Sequence, residues 1–169
     1  MKAIKTMVLA ASLLAACSSY AAEFVTRGST GDSSIQLVGA QGKVLGEYSD
    51  FVGGILYTED QSVDALHIVM KTEGFTSTSG VELSDRFPKA AFSTGSVAKG
   101  LDGVTLKGNL TLQGKASPVS MKVESIEPQG DEAIKAVFST AIDPAKHDLD
   151  KAVTQIRFNL VGALLNTKE

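Results

Sequence analysis

Few side chains in this sequence have the type and spacing that chemistry needs. Ser96-Val97-Ala98-Lys99 has the Ser-x-x-Lys spacing of acyl-transfer enzymes, in which one helical turn brings the amine to the hydroxyl. Here the four residues close a strand-like run, and the companion motifs of those enzymes are missing. His147, with Asp143, Asp148 and Asp150, offers nitrogen and oxygen ligands. The spacing matches neither a calcium loop nor a zinc motif, and a solvated, acidic turn accounts for it. The other histidine, His67, alternates with Leu66 and Ile68, so it is expected to point away from whatever those two bury. With no Gly-x-Ser-x-Gly elbow, a catalytic triad is not expected. Asn109-Leu110-Thr111 fits the glycosylation sequon by composition alone, and Gly39 to Lys43 lacks the glycine and hydroxyl of a phosphate loop. The expectation is a protein that is not an enzyme and carries no cofactor and no metal.

What remains is the apolar alternation that would position any site. Val104, Leu106, Gly108, Leu110 and Leu112 alternate with polar neighbours, then Val119, Met121 and Val123 do the same. Period two marks strands buried on one face. It recurs at Leu66, Ile68 and Met70, at Ile134, Ala136 and Phe138, and at Ile156, Phe158 and Leu160. Shorter candidates are Ile35 to Val38, Lys43 to Tyr48, Gly54 to Thr58 and Ala90 to Val97. Turn residues separate them at Ala40-Gln41-Gly42, Asp60-Gln61, Gly100 to Gly103 and Gln129-Gly130-Asp131, with a Gly-Lys-Ala-Ser-Pro break from Gly114 to Pro118. Two segments depart from the pattern. Gly74 to Pro88 reads as a long polar loop with room for one helical turn near Val81 to Asp85, and Asp143 to Lys151 as a loop or short helix. Eight or nine short-linked strands imply an antiparallel sheet that closes or packs on itself.

The chain has 169 residues, 43% hydrophobic and 21% charged, enough for one domain with a real core. The net charge of -3 is scattered, with no basic stripe to neutralise phosphates, so nucleic acid is not an expected partner. Lys2 and Lys5 precede the apolar run Met7 to Ala16 in the layout of a secretory signal peptide. Two processing routes fit. Cleavage after Ala21 or Ala22 makes residues 1–22 the signal and 23–169 a soluble periplasmic domain. Leu14-Ala15-Ala16-Cys17 also has the form of a lipobox, in which residues 1–16 are removed and Cys17 is acylated, giving an outer-membrane lipoprotein. Either way the exported domain has no second cysteine, and packing alone must stabilise it.

The strands also carry a family resemblance. "GNLTLQGKASPVSMKVE" resembles the Gly-x-Leu-Thr-Leu-x-Gly-x-x-x-Pro-Val signature of the YceI-like, polyisoprenoid-binding family, through Gly108, Leu110, Thr111, Leu112, Gly114, Pro118 and Val119. "GEYSDFVGGILYT" resembles an earlier family pattern through Gly46, Tyr48, Phe51, Gly54, Ile55 and Tyr57. "RFPKAAFSTGSV" resembles a third through Phe87, Pro88, Phe92 and Thr94. The resemblance implies an exported, lipocalin-like antiparallel barrel that binds an isoprenoid or similar apolar lipid for transport or storage. The family's His-Leu-Arg-Ser and Asp-Phe-Phe stretch is missing between Thr72 and Phe87, and His147-Asp148-Leu149 replaces its Asp-Phe-Gly.

The expected fold is therefore an all-β, eight-stranded antiparallel lipocalin-like barrel over residues 23–169, following the signal peptide. Its ligand wall is expected to comprise Ile55, Leu66, Ile68, Met70, Phe92, Leu110, Leu112, Met121, Phe138, Phe158 and Leu160. Small inner residues, Gly46, Gly53, Gly108, Ala136 and Gly162, lean towards internal room, though alternation fits a hollow barrel and a packed one equally. A packed barrel would instead serve as a lipid-anchored interaction module in the envelope. Membrane contact is expected only through an acylated Cys17 or during ligand exchange.

Overall fold

The computed structural model describes residues 20–28, 33–58 and 62–165. The signal-like run, Cys17 and the Asp60-Gln61 turn lie outside these residues. The strands are β1 Tyr20–Arg27, β2 Ser34–Val38, β3 Val44–Tyr48, β4 Phe51–Thr58, β5 Val63–Lys71, β6 Phe75–Ser77, β7 Lys89–Gly100, β8 Gly103–Leu112, β9 Lys115–Pro128, β10 Ala133–Ala141 and β11 Gln155–Leu164. All but β1, which no expected segment covers, and β6, which falls in the expected long loop, form where the alternation predicts them. Every pair of neighbours is antiparallel.

Eight of these strands close a barrel in the order β1-β4-β5-β7-β8-β9-β10-β11 and back to β1. The closing ladder is short: Phe24 faces Leu164, Val25 faces Ala163 and Thr26 faces Gly162. Below it the sheet forks. The first half of β11, Gln155 to Asn159, pairs instead with β2, and β2, β3 and β6 form a side flap. The expectation of eight barrel strands holds, and the flap supplies the strands beyond that number.

Local chemistry explains two differences from the expected turns. The break in the Leu106 to Glu124 hairpin is not the five-residue segment Gly114 to Pro118. It is the two-residue turn Gln113-Gly114, with φ of 54° and 75°, which matches the twist of the flanking strands. Ser117 and Pro118 belong to the 14-residue strand β9. The long loop, for its part, has no helical turn at Val81 to Asp85. One 3₁₀ turn lies earlier, at Thr72–Gly74, and leads into β6, whose backbone pairs with β3. Pairing to the flap satisfies backbone groups that an isolated helical turn would have to satisfy alone. The second irregular segment does contain a 3₁₀ turn, Pro144–His147, begun by an Asp143 carboxylate that accepts from the Ala145 amide at 3.1 Å.

These two segments cover one end of the barrel. Val81 is buried there, Thr72 Oγ1 donates to the Phe87 carbonyl at 2.7 Å, and the Ser84 amide donates to Gln113 Oε1 at 2.9 Å. The opposite end carries the hairpin tips at 101–102 and 129–132, where Val97, Val104, Val123 and Ile126 are only partly buried against the core.

The inner glycines do not open space. A methyl group on Gly46 would fall 2.2 Å from the Phe75 ring, on Gly53 2.9 Å from Ile68 Cβ, and on Gly162 2.9 Å from Phe24 Cβ. Neighbouring groups already occupy what the missing side chains leave free. Gly108 is the tightest case, its methyl position lying 2.0 Å from the Ser93 carbonyl oxygen, beside a bulge in β7. Backbone cannot retreat as a side chain can. Gly108→Ala is expected to cost about 3 kcal/mol in urea unfolding. Gly100→Ala, with nothing within 4 Å of its methyl position, should change stability by less than about 0.5 kcal/mol.

Candidate functional site

The residues expected to form a ligand wall do converge. Cross-strand pairs such as Ile55 with Leu66, Ile68 with Phe92 and Phe138 with Phe158 bring them to the inner face, and all of them join one core cluster. The same alternation adds Leu106, Ile134 and Ile156, which the expected wall omits although their periodicity is equally clear. The flap contributes Ile35, Leu37, Leu45 and Tyr48. Their place could not be read locally, because it depends on which edge of β11 accepts β2. Burial pushes the Tyr48 phenol well above its ordinary range, so it stays neutral.

This interior is filled by its own side chains. Ile55, Leu66, Met70, Leu110, Met121, Phe138 and Phe158 have no accessible surface at all. No void large enough for a water molecule adjoins them. The Phe92 and Phe158 rings, on strands that are not neighbours, meet edge to face at 6.4 Å between centroids. Side chains therefore touch across the barrel. No Lys, Arg, Asp or Glu occurs among the buried residues described.

Polar chemistry sits at the edges of this column. His147, expected in a solvated turn, is 1% exposed. Its Nδ1 lies 2.9 Å from the Lys115 carbonyl oxygen and its Nε2 2.9 Å from Ser117 Oγ. A carbonyl only accepts, so Nδ1 carries the proton, and in the neutral ring Nε2 accepts from the serine hydroxyl. The pair fastens the 3₁₀ turn to β9, and the Lys115 to Asp148 ion pair at 3.0 Å lies outside it. The sequence pattern missed this because the partner is 30 residues away in the chain. Asp143 and Asp150 act as turn caps, accepting from the amides of Ala145 and Ala152. Among the described residues no group of three or more His, Cys, Asp or Glu could hold a metal.

His67 points outward, as its alternation implies, into a groove of about 400 Å³ on the outer face of β1, β4, β5 and β7. Val25, Val52, Val69 and Ala91 form apolar walls, and the Glu23 carboxylate lines the groove with an oxygen 3.1 Å from where a Cβ on Gly54 would lie. His67 Nδ1 lies 3.0 Å from Ser93 Oγ. Partial burial in the groove disfavours the charged form of each, lowering the His67 pKa below 6.5 and raising that of Glu23 above 4.5. Ser96 and Lys99, by contrast, lie three residues apart on a strand and so on opposite faces. The acyl-transfer geometry is therefore not formed.

The comparisons with known proteins follow the same outline. The profile of the YceI-like domain matches residues 26–164. The crystal structure of Burkholderia cenocepacia BcnA superposes with a TM-score of 0.56 at 18% identity, covering 76% of this chain and 95% of that one. A mutant CJ YCEI protein, solved for nanotechnology applications, gives 0.49 at 15% identity over 73% and 85%. No curated protein matches this chain at a significant level.

Two consequences can be measured. His147→Ala would leave the Ser117 hydroxyl and the Lys115 carbonyl unpaired beside a cavity, and is expected to cost about 2–4 kcal/mol in denaturant unfolding. For His67 the unfolded chain binds its proton first as pH falls, since the folded pKa is the lower one. Stability should therefore be complete above pH 6.5 and decline as pH drops through the folded pKa. Thermal unfolding of His67→Gln should lose that part of the slope.

Proposed function

The chain belongs to the YceI-like family, and from that membership we propose that it binds an isoprenoid or other long apolar lipid inside its barrel, for transport or storage in the bacterial periplasm. The observation that carries the reading is the inner column itself: hydrocarbon side chains from all eight barrel strands, with no charged group among the buried residues described. An apolar chain gains about 0.8 kcal/mol for each methylene it buries against such a surface. Because the column is filled, uptake requires its side chains to move apart, and Met70 and Met121 are the most adaptable of them. The partly buried Val97, Val104, Val123 and Ile126 mark the end at which a chain meets the least covering structure.

Export rests on the sequence pattern of the N-terminus. Cleavage after Ala21 or Ala22 would shorten β1 but leave every β1 to β11 pair, which begin at Phe24. Acylation of Cys17 would instead tether the barrel to the outer membrane by a short leader.

A second reading is favoured by the packing. Wall residues with no accessible surface suit a solid barrel that works as a lipid-anchored interaction module. Native mass spectrometry on protein purified gently from its own envelope separates the two. A carrier is expected to arrive with an added lipid mass, or to take up added isoprenoid. Ligand at about 100 times its Kd should then raise stability by about 2.7 kcal/mol. A uniform bare mass with no uptake would sink the carrier reading. The same spectrum reports whether the chain starts near Glu23 or at an acylated Cys17.

A further inference from the structure

One polar atom in the barrel interior has no use in the fold. Thr26, on the inner face of β1, is 0% exposed, and its Oγ1 has no hydrogen-bond partner. Its neighbours on both sides are glycines, Gly53 on β4 and Gly162 on β11. Neither can offer a side-chain partner, and both backbones are already committed to the ladders. A hydroxyl buried without a partner destabilises a protein, and valine would fill the same volume without that cost. Position adds to the anomaly. Thr26 and Gly162 form the last pair before β1 and β11 part and β11 turns to β2. The orphan hydroxyl thus lies where the wall of the barrel divides.

Resting on the lipid-binding reading above, we propose that Thr26 Oγ1 is the anchor for the single polar end of the bound lipid, and that this end is an uncharged oxygen group, a hydroxyl or a carbonyl. A threonine hydroxyl can donate to a carbonyl or accept from an alcohol, so one residue serves both forms of that head group. Charge decides against the alternatives. Among the buried residues described there is no Lys or Arg, so a phosphate or carboxylate at this place would be buried without a counter-charge. The head group lies at the fork, and the hydrocarbon runs from there along the inner column towards the hairpin tips. Phe24, Gly53 and Ile68 pass it on one side and Ile134 on the other.

The test uses the full exported chain and its Thr26→Val variant, with geranylgeraniol, the corresponding hydrocarbon and the corresponding monophosphate as probes, measured by native mass spectrometry and thermal unfolding. The unliganded variant should be the more stable, its unfolding equilibrium constant falling about tenfold. The native chain should bind the alcohol about tenfold more tightly than the variant does, while both bind the hydrocarbon equally and neither takes the monophosphate measurably. Equal alcohol binding by the two chains would overturn the assignment while leaving the carrier reading in place. So would a destabilised unliganded variant, since it would show that the hydroxyl has a partner in the empty protein. If the native chain binds no probe at all, the carrier reading fails and the assignment falls with it.

Discussion

Closure of the barrel depends on three residue pairs between β1 and β11, from Phe24 with Leu164 to Thr26 with Gly162. Without them the sheet would be open, with β1 as an exposed edge and the inner apolar faces in water. Closure removes that edge and turns separate half-buried strands into one shared interior. The ladder is short because β11 serves two neighbours: its second half closes the barrel and its first half supports the flap. Everything else in the structure follows from how that one strand is divided. The flap is anchored, the fork appears beneath Thr26, and the end below it needs the covering that the two irregular segments supply.

Packing inside this frame is dense because the small residues are answered by large ones. Phe75 fills the place beside Gly46, Ile68 that beside Gly53, and Phe24 with Ile134 that beside Gly162. Such complementarity stabilises the empty protein and opposes ligand entry at the same time. On the carrier reading proposed above, the barrel trades its own side-chain contacts for those of a guest. The balance is set by how cheaply residues such as Met70 and Met121 can be displaced. On the outer face the packing is looser: the groove beside His67 leaves Val52 and Val69 among the most exposed large apolar side chains described.

Legibility differed by the range of the interaction. Strands β8 and β9 could be read residue by residue, since alternation reports which side of a strand is buried. Leu110, Leu112 and Met121 are therefore inside as expected. His67 was legible for the same reason. His147 was not: its neighbours in sequence are polar turn residues, and its burial is caused by Ser117 and Lys115 across the end of the barrel. The glycines were misleading in a different way, because a missing side chain marks either a void or a close approach, and only the neighbour tells which.

From the sequence alone came the class of the fold, the inner face of the clearly alternating strands such as β5, β8, β10 and β11, and the apolar character of the interior. These are local properties, carried by a period of two and by turn residues such as Gln129-Gly130-Asp131. Tertiary structure alone decided which strands meet, that β11 is shared between barrel and flap, and that the interior is filled. It also decided that Thr26 keeps a hydroxyl with no partner. The physical reason is common to all four: each depends on what stands opposite a residue, and strand pairing brings together positions that lie more than a hundred residues apart, as Thr26 and Gly162 do.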